Sequence, residues 1–185
     1  QEVALPGLGT AYGFAGGPKD NEAFFSFMSF TAPPTVYRLD LGTGKSAPFR
    51  PPQVPFDAAA FETTQVFFPS KDGARVPMFL TMKKGLPRDG ARPTLLTAYG
   101  FGGVSLTPYF DAGMIPWIER GGIFGVVNIR GGGEYGEAWH QAATRTRRQV
   151  GIDDFLAAAA WLKQGGYTAT AHLGAFGASG GGLLV

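Results

Sequence analysis

The strongest signal of the fold of this chain is the sequence HLGAFGASGGGLLV at residues 172–185. Its first half is apolar and predicts a strand over 172–179, and its second half predicts the start of a helix. At the junction, Gly177, Ser179 and Gly181 form the pattern G-x-S-x-G. A serine on a sharp strand-to-helix turn, with small residues two positions away on each side, forms a nucleophile elbow that projects the hydroxyl above a sheet.

The residue after the serine supports this interpretation. Gly180 would offer its backbone N–H to an oxyanion formed at the serine, and the N-terminus of the helix would add positive potential there. The pattern is weak by itself, because 29 of the 185 residues are glycine. A glycine-rich turn that carries an uninvolved serine explains it equally well, so the rest of the chain has to decide.

The first part of the chain has the pattern of a small antiparallel sheet. Aromatic and β-branched runs at 22–30 and 35–41 are separated by the sequence TAPP, and a GTGK turn leads to a third run at 46–50. Short strands at this hairpin spacing are typical of one blade of a β-propeller.

A proline-rich segment, RPPQVPFD at 50–57, marks a domain boundary. We predict the C-terminal part of a β-propeller domain over 1–56 and the N-terminal part of an α/β domain over 57–185. In the second part, strands alternate with helices, which is typical of a mainly parallel sheet. The predicted strands span 62–70, 74–84, 93–100, 123–129 and 172–179, and the predicted helices span 112–121, 136–148 and 152–166.

Several local features refine this second part. Asp72-Gly73 predicts a hairpin between its first two strands, and Pro77 indicates an edge strand. Asp153 and Asp154 are interpreted as acids at the start of the last helix. The apolar face of that helix is predicted to hold Ile152, Phe155, Ala159 and Leu162. The densest basic run, interpreted as a solvent-exposed helix end, consists of Arg145, Arg147 and Arg148.

Composition argues against several classes of site. The net charge of +2 gives no reason to expect nucleic acid, and no apolar run reaches the length of a membrane span, so neither is expected as a partner. The chain has no cysteine and only two histidines, His140 and His172. A metal centre is therefore not expected, and no cofactor is predicted.

Two glycine patterns resemble nucleotide-binding motifs. GTGKS at 42–46 has Leu39 where a P-loop needs its first glycine, and it lies in a hairpin. GGGEYG at 131–136 fits the dinucleotide pattern, but the carboxylate of Glu134 would repel a diphosphate. We interpret this loop as a sharp connection between a strand and its helix, held by Arg130 and Glu134.

Four stretches carry the most specific pattern: TAYGFGGVSLTP (97–108), VVNIRGGGEYGEAWH (126–140), IDDFLAAAAWL (152–162) and GASGGGLLV (177–185). In this order and at these distances they resemble the prolyl oligopeptidase family of serine peptidases. Upstream, SFTAPPTVYRLDLGTGK and FFPSKDGARVPMFL resemble the family's last propeller blade and its entry into the hydrolase domain. The likeness extends from about residue 20 to the end of the chain.

The resemblance implies an α/β-hydrolase domain, here with an incomplete sheet, preceded by the last β-propeller blade. It implies a monomeric serine peptidase that cleaves short proline-containing peptides on the carboxyl side of proline. Ser179 would be the nucleophile, with the Tyr99 hydroxyl and the Gly180 N–H as the oxyanion hole.

The chain departs from the family pattern at two positions. The family commonly has asparagine after the serine, where this chain has Gly180. The family reads Tyr-Gly-Gly-Phe where this chain has Tyr-Gly-Phe-Gly at 99–102, so the phenylalanine of the proline pocket, Phe101, is shifted by one position.

The partners of the serine are also in question. In α/β-hydrolases an acid and then a histidine follow the serine in the chain, but nothing follows Val185, and His140 and His172 precede Ser179. We expect an internal fragment that lacks the triad Asp and His and is inactive alone. A related peptidase of oligopeptidase B or acylaminoacyl-peptidase type, or a non-catalytic remnant, stays open, as does a cytoplasmic or periplasmic location.

Overall fold

The computed structural model describes residues 2–185. Contacts between residues divide the chain into two compact units. The first contains the chain up to Phe61 together with Thr107–Ile115, and the second contains Glu62–Leu106 and Pro116–Val185. The domain division at residue 56 stays a prediction.

The first unit is built on a four-stranded antiparallel sheet. Its strands neighbour one another in chain order and are β1 (Thr10–Ala15), β2 (Glu22–Met28), β3 (Thr35–Asp40) and β4 (Ser46–Arg50). Alternate side chains of β2 point to one face, where Phe25 and Phe27 pack with Leu39 in a small core. The predicted meander is confirmed, and sequence analysis missed only its first strand, β1.

The turn between β3 and β4 shows why GTGKS is not a phosphate-binding loop. Asp40 accepts a hydrogen bond from the N–H of Thr43 at 2.8 Å, and Gly44 adopts a φ of 71°. The Gly44 N–H donates to the carbonyl of Asp40 at 2.8 Å. These bonds make a tight hairpin turn, as the sequence predicts.

The second unit contains a five-stranded mixed sheet. Its strands are β5 (Phe61–Pro69), β6 (Arg75–Lys83), β7 (Thr94–Ala98), β8 (Ile123–Val127) and β9 (Leu173–Ala175). Their spatial order is β5-β6-β8-β7-β9, with β6 antiparallel to β8 and with β7 parallel to both β8 and β9. The predicted α/β architecture is therefore confirmed.

Three helices accompany this sheet. They are α1 (Ile115–Glu119), α2 (Glu137–Gln141) and α3 (Gln149–Gln164), and single 3₁₀ turns lie at Ala58–Ala60, Arg145–Arg147 and Thr170–His172. The core contains Phe155, Ala158 and Leu162 of α3 together with apolar side chains of β5 to β8. The buried face of α3 also includes Gly151 and Asp154, whereas Ile152 and Ala159 of the predicted stripe are only partly buried.

The helix predicted over 136–148 is wrong beyond its first turn. It ends at Gln141, and an α-helix cannot continue to residue 148 because Thr144 is extended and Arg145 adopts a φ of 52°, outside the right-handed helical region. The helix predicted over 112–121 shrinks to α1, with Pro116 in its first turn, where a missing N–H is tolerated.

Pro77 does not mark an edge strand, because β6 lies between β5 and β8. Its carbonyl accepts a hydrogen bond from the N–H of Asn128 at 3.0 Å, one residue beyond the end of β8. The ladder between the strands ends there, so the sheet loses no further bond through the missing N–H of proline.

The segment at 172–185 has less regular secondary structure than predicted. Its strand, β9, ends at Ala175, four residues before Ser179. Turns follow in place of a regular helix, with hydrogen bonds from the Leu183 N–H to Ser179 at 3.3 Å and from the Val185 N–H to Gly181 at 3.4 Å.

Candidate active site

The serine turn lies at the carboxyl end of two parallel strands. Leu96 of β7 pairs with Ala175 of β9, and the N–H of Phe176 donates to the Leu96 carbonyl at 3.0 Å. Tyr99 directly follows β7, and Ser179 follows β9 by four residues. Ligands of α/β proteins bind at this edge of the sheet, so Tyr99 and Ser179 both lie where a substrate could reach them.

Ser179 has the backbone conformation that an elbow requires. Its φ is 53°, and among residues 2–185 only Arg145 is another non-glycine residue with positive φ. This conformation costs of order 1–3 kcal/mol and is typically found at functional sites. The side chain is exposed, and its hydroxyl has no hydrogen-bond partner within residues 2–185.

Gly177 and Gly181 occupy positions where no side chain fits. A Cβ atom on Gly177 would lie 2.1 Å from the carbonyl oxygen of Gly181. A Cβ atom on Gly181 would lie 2.6 Å from the carbonyl oxygen of Ala98, the last residue of β7. The close approach of backbone to backbone explains both glycines and packs the elbow against the end of β7.

Gly180 is buried in the elbow, as is Gly181. Within residues 2–185 its N–H donates no hydrogen bond, which is uncommon for a buried residue. A Cβ atom here would lie 2.4 Å from Cδ2 of Phe101, so the phenyl ring packs against the backbone. The two positions that depart from the family pattern are therefore in contact.

The loop after β7 contains the other predicted site residues. The rings of Tyr99 and Phe101 pack edge to face with centroids 6.1 Å apart, and both side chains are half-buried. The Tyr99 hydroxyl has no hydrogen-bond partner within residues 2–185. The guanidinium of Arg148 covers the Phe101 ring, with Cζ 3.3 Å from the centroid.

Arg148 is a residue that sequence analysis missed. Its basic neighbours Arg145 and Arg147 are exposed, as predicted, but Arg148 is half-buried. Its Nη1 donates to the carbonyl of Gly100, and its Nη2 donates to the carbonyl of Tyr99 at 3.4 Å. Burial lowers the pKa of Arg148. Nothing in the local sequence separates it from the other two arginines.

The glycine loop at 131–136 packs against the loop after β7. The Gly103 N–H donates to Gly131 at 3.3 Å, and the Gly133 N–H donates to Val104 at 3.3 Å. Gly131 and Gly132 donate their N–H groups to Trp139 and Ile129. Gly136 donates to the carbonyl of Gly133 at 3.0 Å, so the N–H groups of all four glycines of the loop are already used, which favours its structural interpretation.

Glu134 holds these two loops together, as its predicted role requires. One carboxylate oxygen accepts hydrogen bonds from the N–H of Leu106 at 3.0 Å and from the side chain of Asn128 at 3.1 Å. Its other oxygen is buried without a hydrogen-bond partner in the described residues.

Arg130 belongs to a buried ion-pair network behind the site. Its guanidinium donates to Asp154 at 2.6 Å and to Asp72 at 2.6 Å, and Asp154 also accepts the hydroxyl of Ser70 at 2.6 Å. These partners raise the pKa of Arg130, and its hydrogen bonds lower the pKa of Asp72 from 3.8 to about 2.

Neither Asp153 nor Asp154 is a helix-start acid, because the first turn of α3 contains no acidic residue, and that prediction is wrong. Because α3 begins at Gln149, Asp154 lies in its second turn, where it is 0% exposed. The available sequence signal was its spacing: Asp154, Ala158 and Leu162 lie four residues apart on one helix face. A carboxylate on such an apolar face needs a buried partner.

The two histidines lie elsewhere. His140 on α2 contacts the carbonyl of Gly131 through Nδ1 at 2.8 Å, and His172 is exposed just before β9. Within residues 2–185, neither forms a hydrogen bond with Ser179.

Comparison with known proteins agrees with the fold. The profile of the prolyl oligopeptidase family matches residues 108–185, and that of the prolyl oligopeptidase N-terminal beta-propeller domain matches residues 1–52. The chain is 43% identical over 185 residues to a prolyl endopeptidase of Elizabethkingia miricola and 42% identical over 183 residues to that of Elizabethkingia meningoseptica. These matches cover 100% and 99% of this chain, respectively, but only 26% of the length of each relative.

Solved structures give the same result. A prolyl endopeptidase from a study of inter-domain dynamics superposes with a TM-score of 0.91 at 43% identity, covering 98% of this chain and 27% of that one. A post-proline cleaving enzyme from Rickettsia typhi superposes with a TM-score of 0.86 at 35% identity, covering 98% of this chain and 26% of that one. The chain thus spans about a quarter of the length of these relatives.

Proposed function

The chain belongs to the prolyl oligopeptidase family, and we propose that it supplies the nucleophile and oxyanion site of a serine peptidase that cleaves peptides after proline. The observation that carries this proposal is the turn at Ser179. A positive-φ serine with an unpartnered hydroxyl is followed by a buried glycine whose N–H is also unpartnered. Nucleophile and oxyanion donor are thus adjacent in the chain.

The first chemical step starts at the Ser179 hydroxyl. Its oxygen attacks the carbonyl carbon of a proline residue, while its proton passes to a general base. The carbon–nitrogen bond then breaks, and the amine leaves with that proton. Water hydrolyses the resulting acyl-enzyme and regenerates the hydroxyl.

The oxyanion of the tetrahedral intermediate would lie at the Gly180 N–H and the Tyr99 hydroxyl. Both groups are without hydrogen-bond partners within residues 2–185, so both are available as donors. A donor that is already in place needs no reorganisation when the charge develops, and the loss of one such donor costs about 10²–10³ in kcat.

Substrate choice is the finer part of the proposal. The curated relatives cited above are named prolyl endopeptidases, which supports proline at the cleaved position over oligopeptidase B or acylaminoacyl-peptidase specificity. Phe101 stays our candidate for a wall of the proline pocket. Gly177 and Gly181 complete the elbow.

Further parts of the proposal concern the whole protein. On family membership alone, we propose a propeller domain that restricts access to short peptides, a division of domains near residue 56 and a monomeric state. No helix in residues 2–185 is long and apolar enough to cross a membrane.

The central experiment uses the complete protein that contains this chain. We expect a fluorophosphonate probe to label it, and an N-blocked Gly-Pro p-nitroanilide to be hydrolysed faster than the Gly-Ala and Gly-Arg analogues. Ser179→Ala should abolish both labelling and turnover, with Ser105→Ala as the matched control. Labelling that survives Ser179→Ala would refute the proposed nucleophile, and a preference for the Gly-Arg substrate would favour the oligopeptidase B alternative.

We also propose that residues 1–185 alone do not hydrolyse peptides. The described residues bring no general base within hydrogen-bonding distance of the Ser179 hydroxyl. Turnover of the Gly-Pro substrate by this purified segment, lost on Ser179→Ala, would contradict this statement.

A further inference from the structure

The Phe101 ring shapes the backbone of the proposed oxyanion donor. A Cβ atom at residue 180 would lie 2.6 Å from Phe101 Cγ and 3.0 Å from its Cβ, in addition to the contact with Cδ2. Carbon atoms do not approach each other this closely. The ring therefore fills the space of a side chain at 180, and its place limits where the Gly180 backbone can lie.

Arg148 in turn holds that ring and the backbone beside it. Its guanidinium stacks on Phe101, and its two terminal nitrogens donate to the carbonyls of Gly100 and Tyr99. A planar guanidinium suits this task because it can stack and donate at the same time. One side chain thus contacts three consecutive residues of the loop.

The energetics of Arg148 differ from those of an ordinary structural arginine. No carboxylate forms an ion pair with it among residues 2–185. Desolvation of a charge is unfavourable, and here only main-chain carbonyls and a ring offset it. Its side-chain hydrogen bonds and its ring contact go to the loop that carries Tyr99 and faces Gly180.

We propose that Arg148 is a positioning residue of the oxyanion site. It sets the place of the loop from Tyr99 to Phe101, and through the Phe101 ring it sets the place of the Gly180 N–H. This inference rests on the function proposed above, because it assigns Arg148 an effect on the oxyanion of that reaction.

The first test compares two arginines that are adjacent in the chain. Arg148→Met keeps the length of the side chain but removes the stacked guanidinium, and Arg147→Met is the control at an exposed position. In the complete protein, Arg148→Met should lower kcat for the Gly-Pro anilide about 10- to 100-fold, because small displacements at a reacting centre are costly. KM should change by less than about 2-fold, and Arg147→Met should match the wild type.

The second test separates positioning from general destabilisation. A peptide aldehyde ending in prolinal adds the serine oxygen and then carries an oxyanion-like oxygen, whereas the matching peptide acid forms no such adduct. Arg148→Met should weaken the aldehyde by the same factor as kcat/KM and leave the acid within about 2-fold. Arg148→Lys keeps the charge but has a single donor nitrogen and no planar group to stack, so its kcat and aldehyde affinity should fall between those of Arg148→Met and the wild type.

A third variant tests the route through the ring. If Arg148 acts through Phe101, then Arg148→Met combined with Phe101→Leu should lower kcat no further than the larger single effect, within about 2-fold. If the loss of kcat in the double variant equals the product of the two single losses, Arg148 does not act through Phe101.

The outcomes distinguish the two proposals. If the wild type and Arg147→Met show no turnover that depends on Ser179, the proposed function fails and the positioning role fails with it. If both are active and Arg148→Met is equally active, or if aldehyde and acid weaken together, only the positioning role is overturned.

Discussion

Arg130 and Arg148 lie on either side of the glycine loop in the sequence, and both have lost much of their contact with water, but their partners differ. Arg130 is 8% exposed and donates to two carboxylates, which raise its pKa. Arg148 donates to two main-chain carbonyls and stacks on a phenyl ring, and burial lowers its pKa.

The difference indicates two kinds of task. The Arg130 network joins α3, the turn before β6 and the end of β8, so it holds elements of the fold together. The side-chain hydrogen bonds and the ring contact of Arg148 that the structure shows in residues 2–185 go to the loop after β7, which packs on the serine turn. A charge balanced by carboxylates supports the scaffold, whereas one balanced by carbonyl dipoles and a ring is expected to act on local geometry.

The largest effect is expected from Asp154→Ala. It removes the acceptor of Ser70 and of the Arg130 main chain and leaves the buried guanidinium with one half-exposed partner, so the free energy of unfolding should fall by about 3–5 kcal/mol. Urea denaturation followed by tryptophan fluorescence measures it, since the tryptophans of this chain, Trp117, Trp139 and Trp161, lie in the second unit. Asp153→Ala is the control and should cost less than about 1 kcal/mol. Equal losses of unfolding free energy in Asp154→Ala and Asp153→Ala would show that the buried network does not stabilise the fold more than a surface acid does.

An intermediate effect is expected at the contact beneath Arg148. Gly180→Ala places a methyl group 2.4 Å from the Phe101 ring, and overpacking of this kind costs about 1–3 kcal/mol. In a Phe101→Gly background the same substitution should cost close to nothing, because the obstructing atoms are gone. The same urea denaturation in all four combinations gives the coupling energy, and a cost of Gly180→Ala that persists without the ring would show that packing does not link the loops.

The smallest effect is expected from Asp72→Asn, at the exposed end of the Arg130 network. The Arg130 hydrogen bond lowers the pKa of Asp72 from 3.8 to about 2, but its side chain is 53% exposed, so the contribution should stay below about 1 kcal/mol. Because the folded pKa is depressed, this stabilisation is complete above pH 3.8 and is lost as the pH falls towards 2.

The measurement for Asp72 is the difference in unfolding free energy between wild type and Asp72→Asn across this pH range. The difference should be constant above pH 5 and shrink steadily as the pH falls to about 2, while Lys71→Met at the neighbouring exposed position should show a smaller change. A difference that is as large at pH 2 as above pH 5 would mean that the ion pair is not its source.

Much of the fold was predictable because it depends on near neighbours in the chain. The strands β2 to β8 and the body of α3 follow from the alternation and periodicity of apolar residues, and the turns follow from Gly, Pro and Asp. The errors have two sources. Arg145 adopts an unusual φ beyond the end of α2, which the sequence pattern does not reveal. The charged Asp154 lies on the buried face of α3 because Arg130, distant in the chain, pairs with it there.

The family and the serine turn are evident in the sequence alone, because Gly177, Ser179 and Gly181 satisfy a local steric demand of the backbone. The surroundings of the three arginines at 145–148 depend instead on the tertiary structure. Whether such a side chain meets water, a carboxylate or a ring depends on segments that return to it from elsewhere in the chain, such as the carbonyl of Gly100, 48 residues before Arg148. The contact between Phe101 and Gly180 also depends on the tertiary structure. Nothing in either local sequence indicates that the ring after β7 leaves no space for a side chain after the serine.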